Sequence, residues 1–139
     1  MRVLGVELKA NEAFVCLLSS SGGLFDLPDC RLRRLAIQDP DSSQGVKDFQ
    51  FAIAKLVEDY NIDKIVIRER MKRGKFAGGA VGFKLEAAIQ LIDSVEVELL
   101  SPSAIKASTK EKPVPIYFAD TGLKPFQEVA FTTAYVAFL

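Results

Sequence analysis

"KIVIRERMKRGKFAGGAVGFKLEAAIQLI", residues 64–92, begins as a β-branched run and ends as an apolar helical repeat, with a burst of charge between. Lys64 to Ile67 reads as a short buried strand bounded by charge. Val81, Leu85, Ala88, Ile89 and Ile92 recur at helical spacing and predict an amphipathic helix. Residues 68–84 carry Arg68, Arg70, Lys72, Arg73, Lys75 and Lys84 against one acid, Glu69. A strand end, a cationic loop and the glycines Gly78 and Gly79 at a helix start form an order suited to phosphate. The cations neutralise it, and the helix amides add an anion seat. An exposed connection kept polar for solubility has the same composition. The position just past a strand end, where ligand sites of α/β sheets lie, favours the phosphate reading.

The segments on either side extend the pattern. Residues 2–8, RVLGVEL, alternate: Val3, Gly5 and Glu7 on one face, Leu4, Val6 and Leu8 on the other. Lys9 to Asn11 suits a hairpin loop, and residues 12–18 form the returning strand. Ser19 to Gly23 is the next turn, and a third strand is expected within Cys30–Ile37. Asp39-Pro40-Asp41-Ser42-Ser43 announces a helix whose apolar face is Val46, Phe49, Ala52, Ile53, Leu56, Val57 and Tyr60. Asn61 ends it. After residues 64–92 come an alternating strand at 95–100 and a short helix started by Ser101-Pro102. Residues 108–124 read as a loop, and Pro125 opens a last helix. Three strands on short connections favour an antiparallel meander, and the later α/β crossovers imply parallel pairing.

Composition limits the chemistry. The chain has 139 residues, 49% of them hydrophobic, so one domain over 1–139 with an ordinary core is expected. Formal net charge is zero, which excludes a globally basic nucleic-acid binder and leaves a locally basic one. Histidine is absent, so Ser-His-Asp and Cys-His catalysis are excluded. The two cysteines, Cys16 and Cys30, make neither a disulfide framework nor a zinc site. Any metal would be held by carboxylate oxygens, which favours magnesium or manganese. With no signal peptide pattern and no apolar run of membrane-spanning length, a cytoplasmic location and no membrane partner are expected.

At the level of motifs the chain resembles the RuvC-type Holliday junction resolvases. VLGVE (3–7) resembles their first strand, where a small residue and an apolar one precede a catalytic acid. DKIVIRER (63–70) resembles their fourth strand, which ends in a catalytic glutamate. LLSPSAIKAS (99–108) resembles the fifth strand and the turn whose Pro-x-x-x-Lys pattern, here Pro102 to Lys106, approaches DNA. PFQEVAFTTAYVAF (125–138) resembles the helix that carries the last acids. The whole sequence also resembles the domain-of-unknown-function family numbered 3010.

The resemblance implies an α/β, ribonuclease H-like fold. Its mixed five-stranded sheet would have three antiparallel strands and then a parallel βαβ unit, with helices on both faces. It implies that Glu7, Glu69 and Glu128 are the catalytic acids and the ligands of magnesium or manganese in a metal-dependent phosphodiester hydrolase. DNA or RNA would be the partner, met by Arg68, Arg70, Lys72, Arg73, Lys75 and Lys106. Strand alternation places Ile65, Ile67 and Glu69 on one side, as it does Val3, Gly5 and Glu7, so the two acids are expected to share a sheet face. Three positions depart from the resolvase pattern. The first acid is Glu7 rather than Asp, Arg68 stands at the fourth-strand site, and Glu128 is alone in its helix.

Two alternatives follow for Glu7: a metal ligand, or a partner of Arg68 in a protein that binds without cutting. The apolar end Tyr135 to Leu139 must be covered, either on its own sheet or across a twofold axis, and a homodimer is expected. The alternative function is a non-enzymatic dimeric interaction protein on the same scaffold.

Overall fold

The structure is a computed structural model that describes residues 1–74 and 79–139. Its centre is β1 (Arg2–Lys9), paired antiparallel with β2 (Glu12–Ser21) and parallel with β5 (Lys64–Arg68). Beyond β5 lies β6 (Glu96–Leu100), also parallel. The outer edge of β2 carries β3 (Leu24–Asp26) and β4 (Arg34–Ala36), two separate three-residue strands. The order is β3-β2-β1-β5-β6, with β4 also on β2.

The strand expected within Cys30–Ile37 is β4, and β3 precedes it as an additional strand, so among the described residues the sheet has six strands rather than five. Gly22 and Gly23, at φ 58° and 81°, make the tight turn that starts β3. The register Ser19↔Asp26, carried two residues further, brings Pro28 opposite Leu17. Proline has no N–H for the ladder, so pairing stops there. The chain leaves the edge and rejoins it at Arg34, opposite Phe14.

Helices cover both faces. α1 (Ser43–Tyr60) starts on Ser42, whose hydroxyl accepts the Gly45 N–H, and stops at Asn61 in the left-handed conformation. With α2 (Ala80–Gln90) it covers the face of Leu4, Val6, Leu8, Ile65 and Ile67. α3 (Pro102–Glu111) and α4 (Glu128–Val136) cover the face of Val3, Cys16, Leu18 and Val66. A 3-10 turn at Pro125–Gln127 leads into α4, where the sequence places the last helix start. α3 runs on to Glu111 through residues assigned above to a loop. It buries one residue, Ile105, so its last turn carries no apolar repeat to read.

Gly5 is where α4 comes closest to the sheet. A Cβ there would overlap the Ala130 carbonyl oxygen and stand 2.8 Å from Ala134 Cβ. A glycine on the strand and two alanines one turn apart on the helix permit this contact. The apolar C-terminus is covered in part by the chain's own residues, and Leu139 remains exposed. Tyr135 and Val136 are buried in this layer, and Phe138 packs against it.

Candidate functional site

The C-terminal ends of β1 and β5 lie side by side and deliver Glu7, Arg68, Glu69 and Arg70 to one rim of the sheet. Glu7 follows Val3 and Gly5 onto the α4 face and is half-buried. Val66 lies on that same face, so alternation brings Arg68 there too. Ile65 and Ile67 face α1 and α2, and Glu69 follows them. The expectation that Glu7 and Glu69 share a face is therefore corrected. Each strand alternates as read, but the register sets Gly5 beside Val66 and Val6 beside Ile67, so odd residues of β1 share a face with even residues of β5.

Electrostatics agree with this division. Burial raises the Glu7 pKa above its ordinary 4.5, and Arg68, then Lys9 and Arg70, pull it back. Arg68 is thus the strongest cation acting on Glu7. Among the described residues, however, no ion pair within 4.0 Å joins Glu7 to any cation. The alternative of a close Glu7–Arg68 salt bridge thus gives way, among the described residues, to attraction at longer range. Glu69 acts on the other side, where its charge helps to raise the pKa of Glu86 in α2. Burial is the larger cause there, since Glu86 is 8% exposed.

Arg70 links the rim to α2. Its backbone N–H approaches Glu86 Oε2 at 3.4 Å. Its guanidinium lies over Gly82, where a Cβ would stand 2.9 Å from Nε. Nε is buried and has no hydrogen-bond partner among the described residues. Glu86 and Gly82 are contributors that sequence reasoning missed. An acid among Leu85, Ala88 and Ile89 in a buried helix face was the available signal.

The remaining candidates are spread around this rim. Lys72 and Arg73 are exposed, and neither is ion-paired among the described residues. Lys75 and Gly78 lie outside the described residues. Lys84 is turned away, its ammonium donating to the Pro40 carbonyl at 2.6 Å. Lys106 is exposed on α3, whose start follows the end of β6 at this same edge. Glu128 is exposed at the head of α4. Phe126, two residues before it, packs at a tilt against Phe14, the register partner of Glu7, with ring centroids 5.5 Å apart. Glu128 therefore begins its helix on the Glu7 side, and Glu69 does not join them.

Among the described residues, no group of three acids or thiols comes close enough together to hold a metal ion. Two guanidinium groups act on Glu7 where a divalent cation would need further carboxylates. Glu7, Glu69 and Glu128 are therefore not gathered into one group of three among the described residues.

Three strands in antiparallel succession, two parallel additions and helices on both faces define a ribonuclease H-like fold. Thermus thermophilus RuvC has it: the TM-score is 0.74 at 8% identity, over 98% of this chain and 92% of that one. T. thermophilus RuvC in complex with Holliday junction substrate gives 0.68 at 12% identity, over 98% and 91%. By sequence, the chain belongs to the family described as Protein of unknown function (DUF3010), whose model matches residues 1–137. Comparison with curated proteins gives no match.

The Glu7 environment has a measurable consequence. Its folded pKa lies above the unfolded value, so the folded state is penalised once Glu7 ionises. That penalty is absent below about pH 4.5 and grows as pH rises through the folded pKa. Glu7→Gln should therefore melt at a higher temperature than the parent at neutral pH, with the two converging in acid. Magnesium should move neither melting temperature. Thermal melts across this pH range, with and without the ion, check both statements, and a lower melting point for Glu7→Gln at neutral pH would contradict them.

Proposed function

We propose that this chain binds nucleic acid through the phosphate backbone at the C-terminal rim of β1 and β5, without cutting it. The observation that carries the reading is the pair of guanidinium groups, Arg68 and Arg70, acting on the isolated Glu7. Fixed cations there can meet a phosphodiester, and the acids needed to position two metal ions do not accompany them. Lys72, Arg73 and Lys106 extend the positive surface, and in the sequence Lys75 follows within two residues of Arg73. The likeness to a resolvase solved with a Holliday junction supports a branched or duplex DNA as the first ligand to try. No described helix is long and apolar enough to cross a membrane.

The test is fluorescence anisotropy with a four-way junction, a duplex and a single strand, with the metal chelated throughout. Binding under chelation is expected. Parallel incubation with magnesium or manganese should leave every strand intact. Specific cleavage that is lost in Glu7→Gln would replace this reading by that of a metal-dependent nuclease.

A second reading, a dimeric interaction protein, has one observation in its favour. Phe51 on α1 and Leu91 at the end of α2 are 69% and 72% exposed and border one groove. A second copy seated on this face would cover both side chains. Sedimentation velocity at micromolar concentration should then show a dimer that Phe51→Ser with Leu91→Ser converts to monomer. A parent that sediments as a monomer removes this reading.

A further inference from the structure

The outer edge of β2 has a gap one residue long. Even-numbered residues of β2 bond towards β1, as Ser20 N–H does to the Met1 carbonyl, so odd-numbered residues point outwards. Ser19 and Ser21 pair with β3. Val15 gives its N–H to the Arg33 carbonyl at 3.0 Å and receives Gln127 Nε2 at 2.9 Å. Leu17 stands between them. Among the described residues its N–H has no hydrogen-bond partner, and its carbonyl meets only the Cys16 thiol at 4.0 Å. Yet Leu17 is 2% exposed. A buried backbone amide left unpaired is rare and destabilising.

What faces Leu17 is a cavity. It measures about 580 Å³, is partly open to solvent, and is lined by Leu17, the loop between β3 and β4, Tyr60 and the segment before α4. That volume falls within the roughly 300–1,000 Å³ typical of small-ligand sites. Tyr60 Oη, also in the wall, accepts the Arg31 N–H at 2.8 Å and keeps its own hydrogen to donate. The Arg31 guanidinium is held by Asp59 at 2.7 Å. Arg33 at the rim has no ion pair among the described residues. Leu27, Pro28 and Leu123 supply apolar surface.

An outward strand residue presents its N–H and C=O in the spacing of a β-ladder. The group that matches both is another residue in extended conformation. β3 and β4 close the edge on either side, so the occupant must be short. We propose that this cavity binds a short free peptide, one residue of which exchanges both backbone hydrogen bonds with Leu17 while its terminal carboxylate reaches Arg33. This site lies on the lateral edge of the sheet and is independent of the rim that carries Glu7.

The probe is glycyl-leucyl-glycine, titrated into the full ¹⁵N-labelled chain and followed by amide chemical shifts. The Leu17 cross-peak should move and saturate. The C-terminal amide of the same peptide should bind about tenfold more weakly, and Arg33→Ala should abolish that difference. An analogue with an ester in place of the leucine N–H should also lose about tenfold. Arg33 is exposed, so its replacement leaves the fold intact. A Leu17 cross-peak that stays in place up to about 10 mM peptide would show a hydrated gap and overturn the proposal. Equal affinities for the three peptides would overturn it as well.

Discussion

Gly5→Ala should destabilise the chain by roughly 3 kcal/mol or more and lower its melting temperature by about 10 °C. The new Cβ has nowhere to go. It would overlap the Ala130 carbonyl oxygen and stand 2.8 Å from Ala134 Cβ and 2.9 Å from Ala134 N. Two of these obstacles are helix backbone, which cannot rotate aside as a long side chain can. α4 must lift from the sheet, and the buried contacts of Val3, Val66 and Phe131 loosen with it. Gly79→Ala is the control. Its Cβ meets nothing within 4 Å among the described residues and φ is −75°, so its effect should stay at about 1 kcal/mol or less, the loss of a glycine N-cap. Thermal and urea unfolding of both variants give the comparison. A Gly5→Ala protein that melts with the parent would mean that α4 does not lie where the structure places it.

Affinity for DNA should fall by roughly 10²–10³ between 50 and 200 mM salt if about four to six phosphates are neutralised at the rim. The size follows from counterion release, which gives a log–log slope of about −0.9 per phosphate contact on duplex DNA. Replacing Lys72, Arg73 and Lys75 together by alanine should lower affinity at least about tenfold at low salt and flatten that slope by nearly 3. These side chains would contact phosphate and no bases, so the loss should be similar across duplex sequences. Lys84→Ala should change little, because its ammonium is engaged by the Pro40 carbonyl. A flat salt response in the parent would exclude phosphate contacts as the source of affinity.

Much of the architecture could be read from local pattern because local physics sets it. The β1–β2 hairpin, the Ser42 cap, the Asn61 stop and the helix of Val81, Leu85 and Ile89 each depend on residues a few positions apart. The two-piece edge of β3 and β4 depended on register. Pro28 ends a strand because the register, continued, would set a residue without an N–H against Leu17, and no single-strand pattern reports what lies opposite. Relative phase was hidden for the same reason. Alternation within 64–69 is plain, but whether Ile65 or Val66 faces α4 is decided by which helix covers β5. Glu69 was assigned to the Glu7 face on that account. The proximity of Arg68 to Glu7 was legible, because an arginine ending an apolar strand needs a nearby anion. The roles of Glu86 and Gly82 were not, since both depend on how α2 lies against Arg70.

Covering β1 from the far end of the chain orders events during synthesis. By the time Arg68 has left the ribosome, β1, β2 and β5 can pair and α1 can close one side. The opposite side, with Val3, Cys16, Leu18 and Val66, stays open until α4 emerges. Roughly sixty residues separate those moments, about 3–12 s at ~5–20 residues per second. A nascent chain stalled in that interval would present a greasy half-sheet to chaperones and to its neighbours on the same messenger.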